Sequence, residues 1–224
     1  MSFRFMKADF FGDKNIGLYG FATDSYCLLG TQVHGKLLGE MSKALSTEIS
    51  HATIANSDFI GIFSSGNSNG MIVSKLAEEG EIRNLRKIVP NVLVIGSKET
   101  ALGNLILCND RGCLISKRLG KYKKEIEDTL GCEASVATVA GLEIVGSAAA
   151  ASSIGCVCHS GASEEELMHI EKLLKVRTDV GTVGFGNPFI RSGLIVNSKG
   201  VVVSDASTGA EIGRCDEIFN RERL

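Results

Sequence analysis

The chain has 224 residues, of which 44% are hydrophobic and 6% aromatic, and its formal net charge at pH 7 is −2. This slightly negative charge excludes a uniformly basic nucleic-acid binder. The sequence contains no run of about eighteen apolar residues, so we expect no membrane partner. No Pro/Gly/Ser-rich linker divides the chain, so we expect a single domain over residues 1–224. Because its start carries Arg4, Lys7 and Asp9, we also expect no signal peptide and a cytoplasmic protein.

An apolar residue followed by a small one, here called the anchor, recurs five times at intervals of 42 to 45 residues. The five anchors are Ile16-Gly17, Ile60-Gly61, Leu102-Gly103, Val145-Gly146 and, in degraded form, Ile190-Arg191. A period of about 43 residues is long enough for one supersecondary unit, so we predict a repeat fold. The predicted repeats cover approximately residues 1–46, 47–90, 91–131, 132–175 and 176–224.

A turn signal and an apolar triplet follow each anchor at a fixed distance. In the third repeat, the apolar stretch Leu105 to Cys108 runs into Asn109-Asp110-Arg111-Gly112, and the triplet Cys113 to Ile115 follows. Asn and Asp favour turns through local hydrogen bonds, and the glycine is expected to supply the positive φ that closes the turn. The equivalent turn residues of the five repeats are Tyr26, Gly70, Gly112, Gly155 and Gly200. We therefore predict a β-hairpin in the middle of every repeat.

Apolar residues at helical spacing follow each hairpin. In the fourth repeat, Ser163 and Glu166 match a capping box, in which two side chains accept hydrogen bonds from free N–H groups at a helix start. Pro90 ends the pattern in the second repeat and Gly131 ends it in the third. The five predicted stripes are Leu37-Met41-Leu45, Ile82-Leu85-Ile88-Val89, Tyr122-Ile126-Leu130, Leu167-Ile170-Leu173-Leu174 and Ile212-Cys215-Phe219.

A further extended stretch precedes each anchor, for example Val92 to Ile95 and Glu133 to Val139. Each repeat therefore reads β-β-β-α, and the predicted fold class is α+β. Five such units can form an open stack, which needs atypical units at both ends to cover its apolar faces, or a closed ring, which removes exposed edges. Neither terminal repeat has the composition of a cap. We therefore predict a ring, with the hairpins around a central axis and the helices outside.

Candidate catalytic chemistry is sparse among the seven cysteines and four histidines. No C-x-x-C pair occurs, and Cys156 and Cys158 have the wrong spacing for a zinc site, so we predict reduced, structural thiols and no metal. A catalytic cysteine needs a nearby base. His51 and His159 adjoin predicted strands and would serve only if folding brought them to a cysteine. No phosphate-binding loop is present. We predict no catalytic residue and no cofactor.

Six cations fall within fourteen residues of the third repeat, and they are Arg111, Lys117, Arg118, Lys121, Lys123 and Lys124. Two interpretations of this basic run remain open. It can be a solvated helix face, or it can be an edge of the ring that meets a polyanion such as RNA. We expect only weak binding to free RNA, because the net charge is negative and no aromatic platform for base stacking is visible.

Five segments are distinctive beyond the repeat pattern, and they are Ser25–Leu28, His51–Ala55, Thr100–Gly112, Val145–Ser147 and Asn197–Val202. Together they resemble the archaeal and eukaryotic translation initiation factor 6 family, and the resemblance runs from about Ile16 to Glu217. It implies the pentein fold, a five-fold pseudosymmetric ring also described as an α/β propeller. It also implies a ribosome anti-association factor, which binds the intersubunit face of the large ribosomal subunit and blocks joining of the small subunit. In eukaryotes the family also acts in maturation of the large subunit.

The resemblance implies that one end of the ring contacts ribosomal protein uL14, close to the sarcin–ricin loop. Asn104, which follows the third anchor glycine, is the matching contact position. By pseudosymmetry the residues after the other anchors should surround the same end, and they are Leu18, Ile62, Ser147 and Ser192. Alternatively, each of these residues simply begins a strand. The resemblance further implies a monomer. For a eukaryotic source it implies release by a GTPase with an adaptor protein, and a nuclear or nucleolar location besides the cytoplasm.

A rival function comes from hydrolases of the same ring fold that modify guanidino groups. They need a cysteine, a histidine and carboxylates that converge at the centre of the ring, and Cys156 and Cys158 are the nucleophile candidates here.

The chain departs from the family pattern in two respects. Arg191 replaces the fifth anchor glycine, so we expect a different backbone there, and we expect no extended polar tail after Leu224.

Overall fold

The computed structural model describes residues 3–220, and within that range it contains fifteen strands and eight α-helices. The outer limits of the first and last predicted repeats lie outside the described residues. The strands are β1 (Arg4–Ala8), β2 (Gly20–Ala22), β3 (Cys27–Leu29), β4 (Ile49–His51), β5 (Ser64–Asn67), β6 (Gly70–Ser74), β7 (Val92–Ile95), β8 (Ile106–Cys108), β9 (Gly112–Ile115), β10 (Glu133–Val136), β11 (Ala149–Ala151), β12 (Gly155–His159), β13 (Arg177–Gly181), β14 (Leu194–Val196) and β15 (Gly200–Ser204). The helices are α1 (Gly35–Leu45), α2 (Ile60–Phe63), α3 (Glu79–Ile88), α4 (Leu102–Leu105), α5 (Lys123–Leu130), α6 (Val145–Ala148), α7 (Glu164–Leu174) and α8 (Gly209–Phe219). Three 3-10 turns cover Ile16–Leu18, Lys117–Tyr122 and Ile190–Gly193. No helix in this part of the chain is both long and apolar enough to cross a bilayer.

Each predicted hairpin forms, and each grows into a three-stranded sheet by adding a parallel strand. In the third repeat β8 and β9 pair antiparallel, with Cys108 opposite Cys113, and Ala134 of β10 lies parallel and opposite Cys113. In four of the five sheets a helix connects the hairpin to its parallel strand, because a parallel pair needs a long crossover. The five sheets, in strand order, are β2-β3-β4, β5-β6-β7, β8-β9-β10, β11-β12-β13 and β14-β15-β1.

The last sheet takes its third strand from the beginning of the chain. Strand β1 pairs parallel with β15, with Arg4 opposite Gly200 and Ala8 opposite Ser204. In the other four sheets this place is filled by the strand that precedes the next anchor. The first and last segments therefore close the structure into a ring without capping units, and the predicted closed α+β ring is confirmed.

Five hydrophobic clusters fill the spaces between neighbouring sheets. One joins Leu114 of β9 to Cys156 of β12 and Leu174 of α7. Another joins Leu29 of β3 to Val202 of β15, across the closure of the ring. Helix α7 covers two sheets by contacting β13 of the fourth sheet and β9 of the third, and α5 likewise contacts β10 and β6. The first hairpin strands β2, β5, β8, β11 and β14 line a channel along the axis.

The glycines at the hairpin turns have a different role from the predicted one. Within the described residues, none of the four has a positive φ, and they are Gly70, Gly112, Gly155 and Gly200. In the third repeat the turn is closed by Asn109 Oδ1, which accepts hydrogen bonds from the N–H groups of Arg111 (2.9 Å) and Gly112 (3.0 Å). Glycine is required there because a Cβ on Gly112 would lie 2.3 Å from the carbonyl oxygen of Leu173 in the next repeat. The prediction of positive φ is therefore wrong, and the physical reason for glycine is close approach of a neighbouring helix.

Candidate functional site

The five anchors meet around the axis at one end of the ring, which we call the anchor pole. The second, third and fourth anchors each begin a one-turn helix, and the first and fifth form 3-10 turns. Helix α4 contacts α2 on one side and α6 on the other, and the turn at Ile190–Gly193 contacts both α6 and the turn at Ile16–Leu18. Since α2 also contacts the turn at Ile16–Leu18, the anchors form a closed circuit.

Four of the five anchor positions have no room for a side chain. A Cβ on Gly103 would lie 2.0 Å from the carbonyl oxygen of Gly61, and a Cβ on Gly146 would lie 2.1 Å from that of Gly103. A Cβ on Gly17 would likewise clash with the carbonyl oxygen of Arg191, and a Cβ on Gly61 would clash with that of Gly17. The anchor glycines Gly17, Gly61, Gly103 and Gly146 therefore allow each repeat to place its backbone directly against the next.

The residues that follow the anchors line one depression of about 290 Å³ at the anchor pole, and they are Leu18, Ile62, Asn104, Ser147 and Ser192. All five are half-buried, and all belong to the helical turns of the anchors rather than to the following strands. The structure thus brings the five predicted contact residues together at one end of the ring. Their contact with a ribosome stays a prediction.

The depression has apolar walls and few polar groups. Ile144 and Phe189 complete its apolar lining. Ser192 donates a hydrogen bond of 2.8 Å to the carbonyl oxygen of Phe189 and accepts one of 2.9 Å from Asn187 Nδ2, so its hydroxyl is engaged. Within residues 3–220 the side-chain amide of Asn104 makes no hydrogen bond. Asn104 therefore presents a donor and an acceptor to a partner that enters the depression.

Two exposed phenylalanines near this pole were missed by the sequence analysis. Phe11 is 80% exposed and Phe185 is 83% exposed, and each sits five residues before its anchor in a tight turn. Both have a positive φ, of 56° and 71°, which is uncommon for bulky residues. The equivalent turn residues Ala55 and Ala140 share this conformation. The recurrence of Phe-Gly at the same distance from two anchors was the available signal.

These turns lie on the side of the anchor pole for a topological reason. Ser116 donates its N–H to the carbonyl oxygen of Leu105 (2.9 Å), so β9 ends beside its own anchor. Strand β10 runs parallel to β9 and therefore ends at the same side. The turn at Val139–Leu142 follows directly, and the turns that carry Phe11 and Phe185 are its pseudosymmetric counterparts. Exposed aromatic rings thus add to the apolar surface at this end.

A glutamate from the neighbouring helix holds three of these turns. In the fourth repeat, Glu166 of the capping box accepts hydrogen bonds from the hydroxyl of Thr138 (2.7 Å) and from the N–H groups of Ala140 and Gly141 (both 2.9 Å). Burial alone would raise the pKa of Glu166, but the donated hydrogen bonds lower it below its ordinary value. Glu81 and Glu211 make the equivalent bonds in the second and fifth repeats.

The predicted basic run does not form one surface. Arg111 lies in the β8–β9 turn, at the end of the hairpin away from the anchor pole, and donates a hydrogen bond of 2.8 Å to the carbonyl oxygen of Lys175. Lys117 and Arg118 lie beyond the opposite end of β9, and both pair with Glu143. Hydrogen bonds first from Lys117 and then from Arg118 lower the pKa of the Glu143 carboxyl.

The remaining cations of the run also have partners inside the molecule. Lys124 pairs with Asp128 at 2.6 Å within α5, and the ammonium group of Lys121 lies 4.7 Å from the centre of the Tyr122 ring. These contacts fit the interpretation of a solvated, ion-paired face, because a cation and its carboxylate partner together carry no net charge that would attract a polyanion. An RNA-facing role for the run stays a prediction.

The structure does not assemble the cysteine–histidine site that the rival hydrolase needs. The sulfur atoms of Cys156 and Cys158 lie 3.8 Å apart inside the core, and this contact together with burial raises the pKa of Cys156, which disfavours a nucleophilic thiolate. His159 lies at the end of the same strand, where its Nδ1 accepts a hydrogen bond from the N–H of Gly161. Across residues 3–220 no hydrogen bond joins a cysteine to a histidine, and no group of three or more metal-ligating side chains converges.

Comparison with known proteins adds an independent finding. Residues 5–218 match the model of the eIF-6 family. The chain belongs to the eIF-6 family. Its similarity to individual members of that family extends over nearly the whole length of both chains.

Three relatives illustrate this similarity, and each is named Translation initiation factor 6. The protein from Saccharolobus islandicus (strain L.S.2.15 / Lassen #1) is 37% identical over 212 residues, which cover 93% of this chain and 95% of the relative. The protein from Pyrococcus abyssi is 35% identical over 218 residues, covering 94% and 96%. The protein from Methanococcus maripaludis is 34% identical over 222 residues, covering 96% and 98%. The names of these eIF-6 family members are those of translation factors and not of enzymes.

Proposed function

We propose that this chain binds the intersubunit face of the large ribosomal subunit through the anchor pole and thereby prevents the small subunit from joining. The observation that carries this proposal is the convergence of the five post-anchor residues on one depression. Membership of the eIF-6 family supports the class of function. We further propose that the chain takes part in maturation of the large subunit.

The chemistry of the anchor pole suits docking onto a protein surface. Binding energy at such interfaces is concentrated in a few central contacts surrounded by groups that exclude water. Here Leu18 and Ile62 supply apolar contact area, and the amide of Asn104 supplies directional hydrogen bonds among them. The half-buried walls are already fixed by the closed circuit of anchors, so little conformational freedom is lost on binding. Ribosomal protein uL14, beside the sarcin–ricin loop, is the proposed contact.

The proposed mechanism is steric. A ring that covers a bridge surface on the large subunit leaves no room for the small subunit, so no catalysis and no change of shape is needed. The chain acts as a monomer in the cytoplasm. Release then depends on other factors, a GTPase and an adaptor protein if the source is eukaryotic, in which case the nucleus and nucleolus are further locations.

The test is sedimentation of the protein with purified large and small ribosomal subunits while subunit joining is followed by light scattering. We expect the wild type to migrate with the large subunit alone and to suppress joining. Ile62→Asp and Asn104→Asp place a charge in the depression, and each should weaken binding by about tenfold or more.

Matched controls make the same chemical changes on the outer helices. Met168→Asp alters an exposed apolar residue of α7, and Asn84→Asp alters an exposed amide of α3. Both should bind like the wild type, and circular dichroism should show all four variants folded. Loss of binding in the controls but not in the pole variants would move the contact to the helices. Absence of binding to either subunit by the folded wild type would refute the proposed function.

A further inference from the structure

A narrow channel runs along the axis below the anchor pole. All five first hairpin strands line a cavity of about 40 Å³ within it. A space of this size holds about three water-sized groups. The side chain that breaks the five-fold pattern, Arg191, also lines this cavity.

The guanidinium of Arg191 is held by backbone and aromatic groups. Its Nη2 atom donates hydrogen bonds of 3.3 Å to the carbonyl oxygens of Gly61 and Ser64, on the far side of the ring. Its central carbon lies 5.7 Å from the centre of the Phe21 ring. The Nε atom is buried and has no hydrogen-bond partner among the residues that the structure describes. A buried donor of this kind needs an acceptor.

The charge of this guanidinium is not balanced by a nearby carboxylate. Among residues 3–220, no Asp or Glu oxygen lies within 4.0 Å of it. Asp24 and Asp110 line the far end of the channel, where their carboxylates accept hydrogen bonds from the N–H groups of Ser198 and Ser68. Burial lowers the pKa of Arg191, but a guanidinium stays protonated in proteins. Arg191 as a whole is half-buried, and a cation held partly away from water without a counter-charge is unfavourable.

The strands around the cavity supply backbone N–H donors and, at the same residues, backbone C=O acceptors. In four hairpins the strand register and the bond that closes the turn fix the hydrogen-bonding pattern. In the third hairpin, for example, the N–H of Asn109 donates to the carbonyl oxygen of Gly112. Antiparallel pairs alternate between bonded and non-bonded, so the preceding pair, Cys108 and Cys113, directs its N–H and C=O groups away from the partner strand. The residues that present their outward backbone groups in this way are Ala22, Cys108, Ala151 and Val196, and all four line the cavity.

We propose that the channel binds one small monovalent anion, of the size of chloride, between the Arg191 guanidinium and the outward N–H groups of the inner strands. The anion supplies the missing counter-charge and accepts a hydrogen bond from Nε. By fixing Arg191, the anion also stabilises the fifth anchor, whose carbonyl oxygen packs against Gly17. Arg191 lines both this cavity and the depression at the anchor pole, so the anion site adjoins the proposed docking surface.

The first test measures the melting temperature of the wild type in chloride and in gluconate at constant pH and ionic strength. Each tenfold rise in chloride above the dissociation constant should raise the melting temperature by about 3–5 °C, as expected for a ligand that binds only the folded state. Arg191→Met removes the charge at similar length and should abolish this dependence. Arg118→Met removes an exposed, ion-paired arginine and should retain it in full.

The second test needs no variant. A crystal of the wild type soaked in bromide should show an anomalous peak within hydrogen-bonding distance of Arg191. Equal melting temperatures in both salts, an unchanged chloride effect in Arg191→Met, or anomalous peaks at the surface only would each overturn the proposal.

A thiolate counter-ion at Cys108 is the main alternative. A hydrogen bond with Cys113, one with Ser65 and the charge of Arg191 lower the pKa of Cys108, although burial opposes them. Thiolates absorb near 240 nm. Such absorbance at pH 7 that disappears in Cys108→Ser would assign the counter-charge to Cys108 and overturn the anion site, whereas its absence together with the chloride effect supports it.

Discussion

At the scale of single residues, the anchor glycines show how strictly close backbone contact selects a side chain. The carbonyl oxygen of Gly61 lies so near to Gly103 that a Cβ there would be 2.0 Å away. Backbone atoms cannot move aside as the end of a flexible side chain can. The anchors are therefore positions where a single methyl group displaces one repeat from the next.

We predict that Gly103→Ala lowers the free energy of unfolding by more than about 3 kcal/mol, because the clash is with backbone atoms in the closed circuit of anchors. Gly39→Ala is the matched control. Gly39 lies inside α1 with open space around its Cα, so alanine should raise stability there by about 0.5–1 kcal/mol. Urea denaturation of both variants measures the difference. Equal stability of the two variants would show that the anchors tolerate a shift.

For single residues, the sequence shows which positions carry the repeated glycines but not why glycine is needed there. The repeated glycines located both the hairpin turns and the anchors. Their close contacts involve carbonyl groups of another repeat, which local turn chemistry cannot show. Phe11 and Phe185 were missed because an aromatic residue at positive φ has no strong sequence signal beyond the following glycine.

At the scale of elements, the capping box serves two structures at once. Glu166 caps its own helix and also binds the turn that precedes the fourth anchor. The sequence predicted the first role, since Ser163 and Glu166 are three residues apart. The second role joins Glu166 to residues about 25 positions earlier and becomes visible only in the folded chain.

This geometry predicts a pH dependence of stability. Because the folded pKa of Glu166 is lowered below 4.5, its stabilising contribution is present above that pH and is lost as the pH falls through the lower folded value. Glu166→Gln should lower the free energy of unfolding by about 1–3 kcal/mol at pH 7, by weakening charge-assisted hydrogen bonds. The loss of stability between pH 5 and pH 3 should also become less steep, as urea denaturation at each pH would show.

Glu165→Gln is the control, because it changes an exposed neighbour in the same helix turn. It should leave both the stability at pH 7 and its pH dependence close to those of the wild type. If both variants lose stability with the same slope on acidification, the titration belongs to other carboxyl groups.

The hairpin asparagines show the same limit of sequence reading. Asn109 was predicted to favour the turn, and its Oδ1 does close it. Its Nδ2 also donates hydrogen bonds to the carbonyl oxygens of Ser152 (3.0 Å) and Leu174 (2.9 Å), which belong to the next repeat. Asn67 and Asn197 make the equivalent bonds. Periodicity gives the elements of each repeat, whereas the contacts between repeats depend on how the ring closes.

At the scale of the whole molecule, closure depends on the short strand β1. It completes the fifth sheet, and the ring of Phe3 stacks 6.2 Å from that of Phe219 near the other end of the described chain. The two ends of the described chain are thus adjacent, and the fifth sheet has the same strand arrangement as the other four. The ring could therefore be opened at another loop, with its two present ends joined, without changing how the sheets pack.

This predicts that a circular permutant folds. Joining residues 220 and 3 by a short Gly/Ser linker and opening the exposed loop between Ser160 and Gly161 keeps all five sheets. We expect a cooperative melting transition within a few degrees of the wild type. Deletion of residues 1–8 is the matched variant that loses β1, and it should abolish cooperative unfolding and cause association through the freed edge of β15. Calorimetry and size-exclusion chromatography measure both outcomes, and a stable, monomeric deletion variant would show that closure is dispensable.

The dependence on β1 also has a consequence for the time order of synthesis. Strand β1 leaves the ribosome about 200 residues before its partner β15. At roughly 5–20 residues per second, β1 waits about 10–40 s without a partner. During that interval it is an unpaired strand that could join other nascent chains. Arg4 and Lys7 place two positive charges on this short strand, and such charges oppose pairing between like strands. The positive charges of the strand that closes the finished ring thus protect it from association with other nascent chains during synthesis.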